Sequence, residues 1–216
     1  MAILIVWILA FVIAITVHEA SHAWMANRLG DPTARLMGRL SLNPLVHYDP
    51  IGTTLLLVLV IMRAFGAPVI PFGWAKPVEF DTYNLKNPRR DAAIISLAGP
   101  VSNMVLAIIL GIGLKFIGPL STLSYFSLII YPIIGLNVIL AVFNLIPAHP
   151  LDGGKILVGL LPAKEAQEAD RFLRRYSTII LLFLILPFFG GRSAVSLFLE
   201  PVLNTTMGIL IPGYPI

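Results

Sequence analysis

His18, Glu19 and His22 lie near the start of the chain and have the residue types and spacing of a metal centre. On a helix, positions i and i+4 share one face, so the two imidazoles can bind a single ion. Glu19 lies between them and can take a proton from a water there, since zinc lowers the pKa of water from about 16 to about 7. The motif predicts zinc-assisted hydrolysis, with His18 and His22 as ligands and Glu19 as the general base.

The surroundings of this motif are apolar. The first 17 residues carry no charge, and the chain is 57% hydrophobic and 12% charged, with a mean hydropathy of +0.89. Soluble domains carry about 25% charged residues, so the composition indicates an integral membrane protein. Ionisable groups at membrane depth are costly and rare, which favours a functional role over two histidines buried by packing. A zinc centre in a membrane helix points to peptide-bond hydrolysis within the bilayer.

A third zinc ligand must come from elsewhere, because a catalytic zinc ion needs about three protein ligands and one open position. Asp152 follows an apolar stretch and precedes two glycines, which permit close approach of the backbone. His149 lies three residues earlier, and zinc accepts either residue type, so ligand chemistry leaves both open. Glu165 and Glu168 also remain open as ligands. His47, in a polar loop between two prolines, is interpreted as a solvated residue.

The apolar segments that must position these residues number five, with a less regular sixth. A bilayer crossing needs about 20 residues, so the second and fifth segments are marginal. We expect an all-α polytopic membrane protein with about five to six transmembrane segments in one domain, residues 1–216. The catalytic core covers about 1–160, and C-terminal membrane segments cover about 176–212. The six segments are about 2–26, 51–65, 92–117, 126–146, 177–189 and 194–211.

Lys and Arg cluster in three loops, whereas residues 118–125 carry no charge. The positive-inside rule places the basic loops on the cytoplasmic side, which forbids a single crossing between the first two. We therefore interpret residues 51–72 as a re-entrant element; a plain crossing with one misplaced basic loop is the alternative. The charged segment 164–175 is interpreted as a solvated helix at the membrane surface. The basic loops are 27–49, 67–91 and 153–176.

Two amides and one extended segment are further candidates for the site. Asn103 and Asn144 lie in apolar segments and need hydrogen-bond partners, which either helix packing or contacts to substrate and oxyanion would supply. Residues 74–80 are interpreted as extended, as part of a small extended or β element near 72–80 that holds an unwound substrate by strand addition. A surface hairpin on the membrane is the alternative. The candidate substrate-binding residues of this element are Trp74, Ala75, Lys76 and Val78.

Other classes of protein are less consistent with the sequence. A transporter or channel would spread polar residues along several helices, and an inactive membrane scaffold would lack Glu19 or a ligand. The net charge of +4 comes with basic loops, and no aromatic-plus-basic stripe indicates nucleic-acid binding. Cysteine is absent, which excludes thiolate ligands and disulfides.

Five motifs follow one another along residues 18–153. They are HEASH at 18–22, DPIGT at 49–53, FGWAKPV at 72–78, GPVSN at 99–103 and N-x-x-P-x-x-x-L-D-G at 144–153. Together they resemble the site-2 protease family of intramembrane zinc metalloproteases, in its short prokaryotic form without PDZ or CBS domains. The resemblance implies that His18, His22 and Asp152 bind one zinc ion per chain, that Glu19 is the base and that Asn144 is catalytic. His149 stands where relatives commonly have proline.

The resemblance also implies a biological setting. It predicts a zinc-dependent endopeptidase that cleaves transmembrane segments of membrane proteins in regulated intramembrane proteolysis. The partners would be a transmembrane protein substrate and the lipid bilayer. The location would be a prokaryotic cell membrane, with the metal site nearer the cytoplasmic side.

Overall fold

The computed structural model shows a helical protein and describes residues 2–66, 73–117, 126–187 and 192–211. Within these residues no β-strand is formed. Two short 3₁₀ helices, Pro44–His47 and Thr82–Asn84, lie between the longer elements. The α-helices are α1 (Ala2–Arg28), α2 (Thr33–Leu36), α3 (Pro50–Ala64), α4 (Pro88–Ile117), α5 (Ser127–Asn144), α6 (Asp152–Leu160), α7 (Ala163–Ile185) and α8 (Ala194–Leu210).

Three of these helices are long and apolar enough to cross a membrane. They are α1 over Leu4–Arg28, α4 over Pro88–Phe116 and α5 over Ser127–Asn144, of 25, 29 and 18 residues. Shorter apolar helices cover Pro50–Leu59 and Ala194–Leu210. The prediction of an all-α membrane protein is confirmed. The count of five to six crossings stays a prediction.

Helix α4 is the central element, since it packs against α1, α5, α6 and α8. Lipid tails are as apolar as leucine, so membrane helices associate through close packing of small residues. Ala107 of α4 is fully buried, and a Cβ atom on Gly111 would lie 2.9 Å from Cβ of Leu210 in α8. The α4–α5–α8 core contains Ala107, Leu114, Ile134, Val138, Met207, Leu210 and Ile211.

The end of α1 is tied to the segment that follows α3. Gly30 adopts a φ of 109°, and the amide of Asp31 bonds the carbonyl of Ala26 at 3.0 Å, which ends the helix. The carboxylate of Asp31 then accepts bonds from Thr33, from the Asn84 side chain at 2.8 Å and from the Asp81 amide at 2.8 Å. These bonds hold residues 81–84 against the end of α1.

Gly73 and Trp74, which follow α3 in the sequence, lie against Gly52 at the start of α3. A Cβ atom on Gly73 would overlap the backbone of Gly52, and one on Gly52 would lie 2.6 Å from the ring of Trp74. Glycine at both positions permits this contact. The two ends of residues 52–73 therefore lie side by side; within that range, 67–72 are outside the described residues.

The structure corrects the prediction of a β element near 72–80, because residues 73–80 form no strand. The amide of Lys76 bonds the carbonyl of His47 at 3.0 Å, and the amide of Val78 bonds Glu19 Oε2 at 3.0 Å. Pro77 between them has no N–H to donate. The segment is thus held by a loop and a side chain instead of a neighbouring strand.

Two further predictions concern His47 and the charged segment 164–175. His47 is buried and its Nε2 lies 2.9 Å from the carbonyl of Ser41, so the interpretation as a solvated residue was wrong. The charged segment 164–175 is helical, but it continues without a break into the fifth apolar segment as one helix, α7.

Candidate metal centre

His18, His22 and Asp152 come together in a tight triangle. The two Nε2 atoms lie 3.1 Å apart, and each lies 3.1 Å from Oδ2 of Asp152. Helix α1 supplies both histidines one turn apart, and Asp152 is the first residue of α6. Among the described residues, these three form the one group of His, Cys, Asp and Glu side chains arranged to hold a metal ion.

The outer nitrogen of each imidazole fixes its tautomer. Nδ1 of His18 donates to Oδ1 of Asn103 at 2.6 Å, and Nδ1 of His22 donates to the carbonyl of Ile95 at 2.7 Å. An amide oxygen and a backbone carbonyl carry no hydrogen, so each Nδ1 must supply it. In the neutral rings both Nε2 atoms then present lone pairs to the centre of the triangle, as metal-binding histidines do.

This donor set fits a zinc ion. Two nitrogen lone pairs and a carboxylate oxygen at 3.1 Å repel one another unless a cation lies between them. Zinc bonds to such atoms are about 2.0–2.2 Å, which places tetrahedral ligand atoms about 3.4 Å apart. His18, His22 and Asp152 are all buried, so water screens this repulsion weakly.

Glycine allows α4 to lie directly against the two histidines. A Cβ atom on Gly99 would collide with Nε2 of His22 and lie 2.6 Å from Cε1 of His18. At the third ligand, a Cβ atom on Gly153 would collide with the carbonyls of Leu145 and Ile146. Glycine next to Asp152 therefore lets α6 begin against the turn that ends α5.

Glu19 lies beside the triangle under the segment that precedes α4. Its side chain is buried, and its Oε2 accepts a hydrogen bond of 3.0 Å from the amide of Val78. The Val78 side chain packs against Ala23 of α1 and Ala34 of α2. One carboxylate oxygen is thus oriented by the backbone, which leaves Oε1 to take a proton.

The predicted amides occupy different positions. Asn103 is fully buried and contacts His18 directly, and its Nδ2 donates to Ala14 O at 2.9 Å and to Asn137 Oδ1 at 2.7 Å. Asn144 ends α5 and its Nδ2 donates to the carbonyl of Leu140 at 3.0 Å. The geometry of Asn103 is that of a group that orients a ligand.

The described residues of the 72–78 motif, 73–78, lie outside the group of three side chains that could hold a metal ion. Trp74 is half-exposed, Ala75 and Val78 are buried, and Lys76 bonds His47 through its amide. Their predicted contacts to substrate stay a prediction.

His149 lies outside the triangle and pairs with α7. Its Nε2 is 3.2 Å from Oδ1 of Asp170, and its backbone amide donates to Oγ of Ser177 at 2.7 Å. Burial alone would raise the pKa of Asp170, but Arg174 and His149 outweigh it and hold the pKa below its ordinary value of 3.8. Helix α7 therefore anchors the loop that presents Asp152.

Two groups behind the histidines were not among the predicted site residues: Asn137 of α5 and the carbonyl of Ile95 in α4. Asn137 is fully buried and bonds Asn103, which bonds the ligand His18. A signal existed, because Asn137 is an amide in an otherwise apolar segment, as Asn103 and Asn144 are. No side-chain pattern identifies a backbone carbonyl such as that of Ile95.

Helical spans, a buried His-His-Asp centre and an adjacent glutamate define a membrane metalloenzyme of the hydrolytic kind. The model of peptidase family M50 matches residues 6–128 and 120–188. The chain belongs to peptidase family M50, the site-2 protease family, as its motifs predicted.

Curated relatives agree with this assignment. YwhC of Bacillus subtilis (strain 168) is 38% identical over 165 residues, which are 72% of this chain and 68% of YwhC. Rip2 of Mycolicibacterium smegmatis is 32% identical over 186 residues, which are 85% of this chain and 68% of Rip2. Both carry the name of a zinc metalloprotease. No solved structure matches the chain significantly.

Proposed function

We propose that this protein is a zinc-dependent intramembrane endopeptidase that cleaves transmembrane segments of membrane proteins. The observation that carries the proposal is the position of the His18–His22–Asp152 triangle and Glu19. Three of these four residues belong to α1, a helix with the length and composition of a membrane span. A hydrolytic centre built into such a helix meets substrates that are themselves within the bilayer.

The residues divide the reaction between them. His18, His22 and Asp152 would hold the zinc ion, and a bound zinc ion would supply Lewis-acid chemistry to the attacking water and the scissile carbonyl. Glu19 takes the proton of the attacking water and passes it to the leaving amine. The amide of Val78 keeps one oxygen of Glu19 in place throughout. Burial of all four side chains excludes bulk water and strengthens each electrostatic contact.

Asn144 is the proposed donor to the oxyanion. Its Nδ2 group carries two hydrogens, and the bond to Leu140 uses one of them. The second is left to donate to the charge that develops on the substrate carbonyl, where such a bond contributes most.

The elements around the site support a path for the substrate and a side of the membrane for the metal site. An unwound substrate would run along residues 73–80, which already contact Glu19 through Val78. Lys and Arg are frequent in the stretches that follow the proposed ligands, residues 27–49 after His22 and residues 153–176 after Asp152. This charge pattern supports a metal site nearer the cytoplasmic side of a prokaryotic cell membrane.

Zinc content and cleavage, measured on the same samples, test the mechanism. The full chain is reconstituted in lipid with a protein carrying one transmembrane segment. We expect Glu19→Gln to keep wild-type zinc and lose cleavage by about 10²–10⁴-fold, since only proton transfer is removed. Asp152→Ala should lose zinc and cleavage together. Removing zinc with a chelator should stop the wild type, and added zinc should restore it.

The matched control is Glu168→Gln, an exposed carboxylate of α7 that lies outside the triangle and outside residues 73–80. It should keep both zinc and cleavage. Full cleavage by Glu19→Gln, or cleavage confined to soluble peptides, would refute the proposal.

A further inference from the structure

A chain of buried amides connects α5 to the zinc ligand His18. Asn137 of α5 donates to the carbonyl of Ile133 at 2.8 Å, and its Oδ1 accepts from Asn103 of α4 at 2.7 Å. Asn103 also donates to Ala14 O, and its Oδ1 accepts from Nδ1 of His18. Asn103 and Asn137 are fully buried, so no solvent competes for these bonds.

The backbone carbonyls of Ile133 and Ala14 fix the direction of the hydrogen bonds that link the two amides. A carbonyl only accepts, so Ile133 requires the NH₂ group of Asn137 on its side and leaves Oδ1 facing Asn103. Ala14 and Asn137 Oδ1 both require donors, which places the NH₂ group of Asn103 away from His18. Oδ1 of Asn103 is then the atom that faces the imidazole, and Nδ1 must carry the hydrogen.

We propose that Asn137 is a positioning residue for zinc: acting through Asn103, it holds His18 in the tautomer whose Nε2 lone pair faces the metal. This inference rests on the proposed zinc function of the same site. Without Asn137, the amide of Asn103 loses one of the two acceptors that oppose its rotation. A rotated Asn103 would present NH₂ to Nδ1–H, and the imidazole would have to shift or change tautomer.

A double-mutant cycle on zinc affinity tests this proposal. Asn137→Leu and Asn103→Leu remove the polar atoms and keep the number of side-chain heavy atoms, and zinc dissociation constants are measured by chelator competition. Loss of outer hydrogen-bond partners weakens metal binding by about 10–100-fold. We expect that range for Asn103→Leu and about 3–10-fold for Asn137→Leu. The double variant should bind zinc as Asn103→Leu does, because Asn137 acts only through Asn103.

Two further variants separate positioning from packing. Asn137→Asp should restore zinc affinity, because a carboxyl in these apolar surroundings stays protonated and reproduces both hydrogen bonds. Val138→Ala, at the adjacent buried position, should destabilise α5 while leaving zinc affinity unchanged. The visible absorption of the Co²⁺-substituted protein should change in Asn137→Leu and not in Val138→Ala.

The outcomes distinguish this proposal from the proposed function. A wild type that binds no zinc overturns the function itself. If the wild type binds zinc but the losses of zinc affinity in Asn137→Leu and Asn103→Leu multiply in the double variant, only the inference is overturned. Zinc binding by Asn137→Asp as weak as that by Asn137→Leu would also overturn the inference. If the double variant does not fold, rescue by Asn137→Asp with the cobalt spectra decides the question.

Discussion

Gly99 lies against both histidine ligands and lacks the one atom that would collide with them. We expect Gly99→Ala to weaken zinc binding at least about 10-fold, since the new methyl group would push His22 out of the triangle. Alanine favours a helix over glycine by about 1 kcal/mol, so the loss would not come from an unstable α4. Chelator competition on the purified variant measures the effect.

Gly113→Ala is the control for this prediction. Gly113 lies on the same helix, and a Cβ atom there meets nothing within 4 Å. This variant should keep zinc affinity and gain slightly in thermal stability. Equal zinc affinity in the two variants would contradict the steric role of Gly99.

Residue types and spacing alone predicted His18, His22 and Glu19, because the helical repeat converts a spacing of four into one face. Spacing alone did not identify the third proposed ligand. Asp152 and His149 are chemically acceptable alternatives, and only the fold shows that His149 points to Asp170 of α7. His47 was misinterpreted because its partner, a backbone carbonyl, leaves no trace in the side-chain pattern.

At the scale of elements, Asp31 determines how the segment over Glu19 is held. Burial alone would raise the pKa of Asp31, but its bonds from Thr33, Asn84 and Asp81 outweigh it and lower the pKa below 3.8. The carboxylate therefore stabilises the fold above that value, and the contribution is lost as the pH falls through the folded-state pKa.

Asp31→Asn places an NH₂ group against donors and should lower the melting temperature at pH 7. Bonds to a charged group contribute about 1.5–3 kcal/mol each, so the shift should be several degrees. The difference from wild type should shrink as the pH falls from about 4 toward 2, as the wild type loses its charge. Thermal unfolding in detergent at several pH values measures it. A difference independent of pH would show that the charge of Asp31 is not what stabilises this contact.

The helices were predictable where apolar runs were long, as for α1, α4 and α5, whose lengths match a bilayer. The conformation of residues 73–80 was not predictable, because an extended sequence pattern does not specify a partner, and no strand forms there. Here the partners are the His47 carbonyl and the Glu19 side chain. The junction within α7 was missed because a change from charged to apolar residues need not interrupt a helix.

For the whole molecule, three spans and one short helix converge on the site. α1 supplies His18, His22 and Glu19, α6 supplies Asp152, and α4 and α5 supply the amides behind His18. A centre assembled from four helices depends on their relative positions more than on any one of them. The contact between Gly52 and Gly73 therefore bears on the topology, since it brings the start of α3 and the segment over Glu19 together.

Residues 52–73 should enter and leave the membrane on one side. The sequence has no cysteine, so Leu45→Cys and Tyr83→Cys, both at exposed positions, each give a single labelling site. A membrane-impermeant thiol reagent should label both from the same face of oriented vesicles, because the contact of Gly73 with Gly52 brings the two ends of residues 52–73 together. Ser121→Cys, in the uncharged segment 118–125, should react from the opposite face and serves as the control. Labelling of positions 45 and 83 from opposite faces would make residues 51–72 a plain crossing, with one basic loop outside.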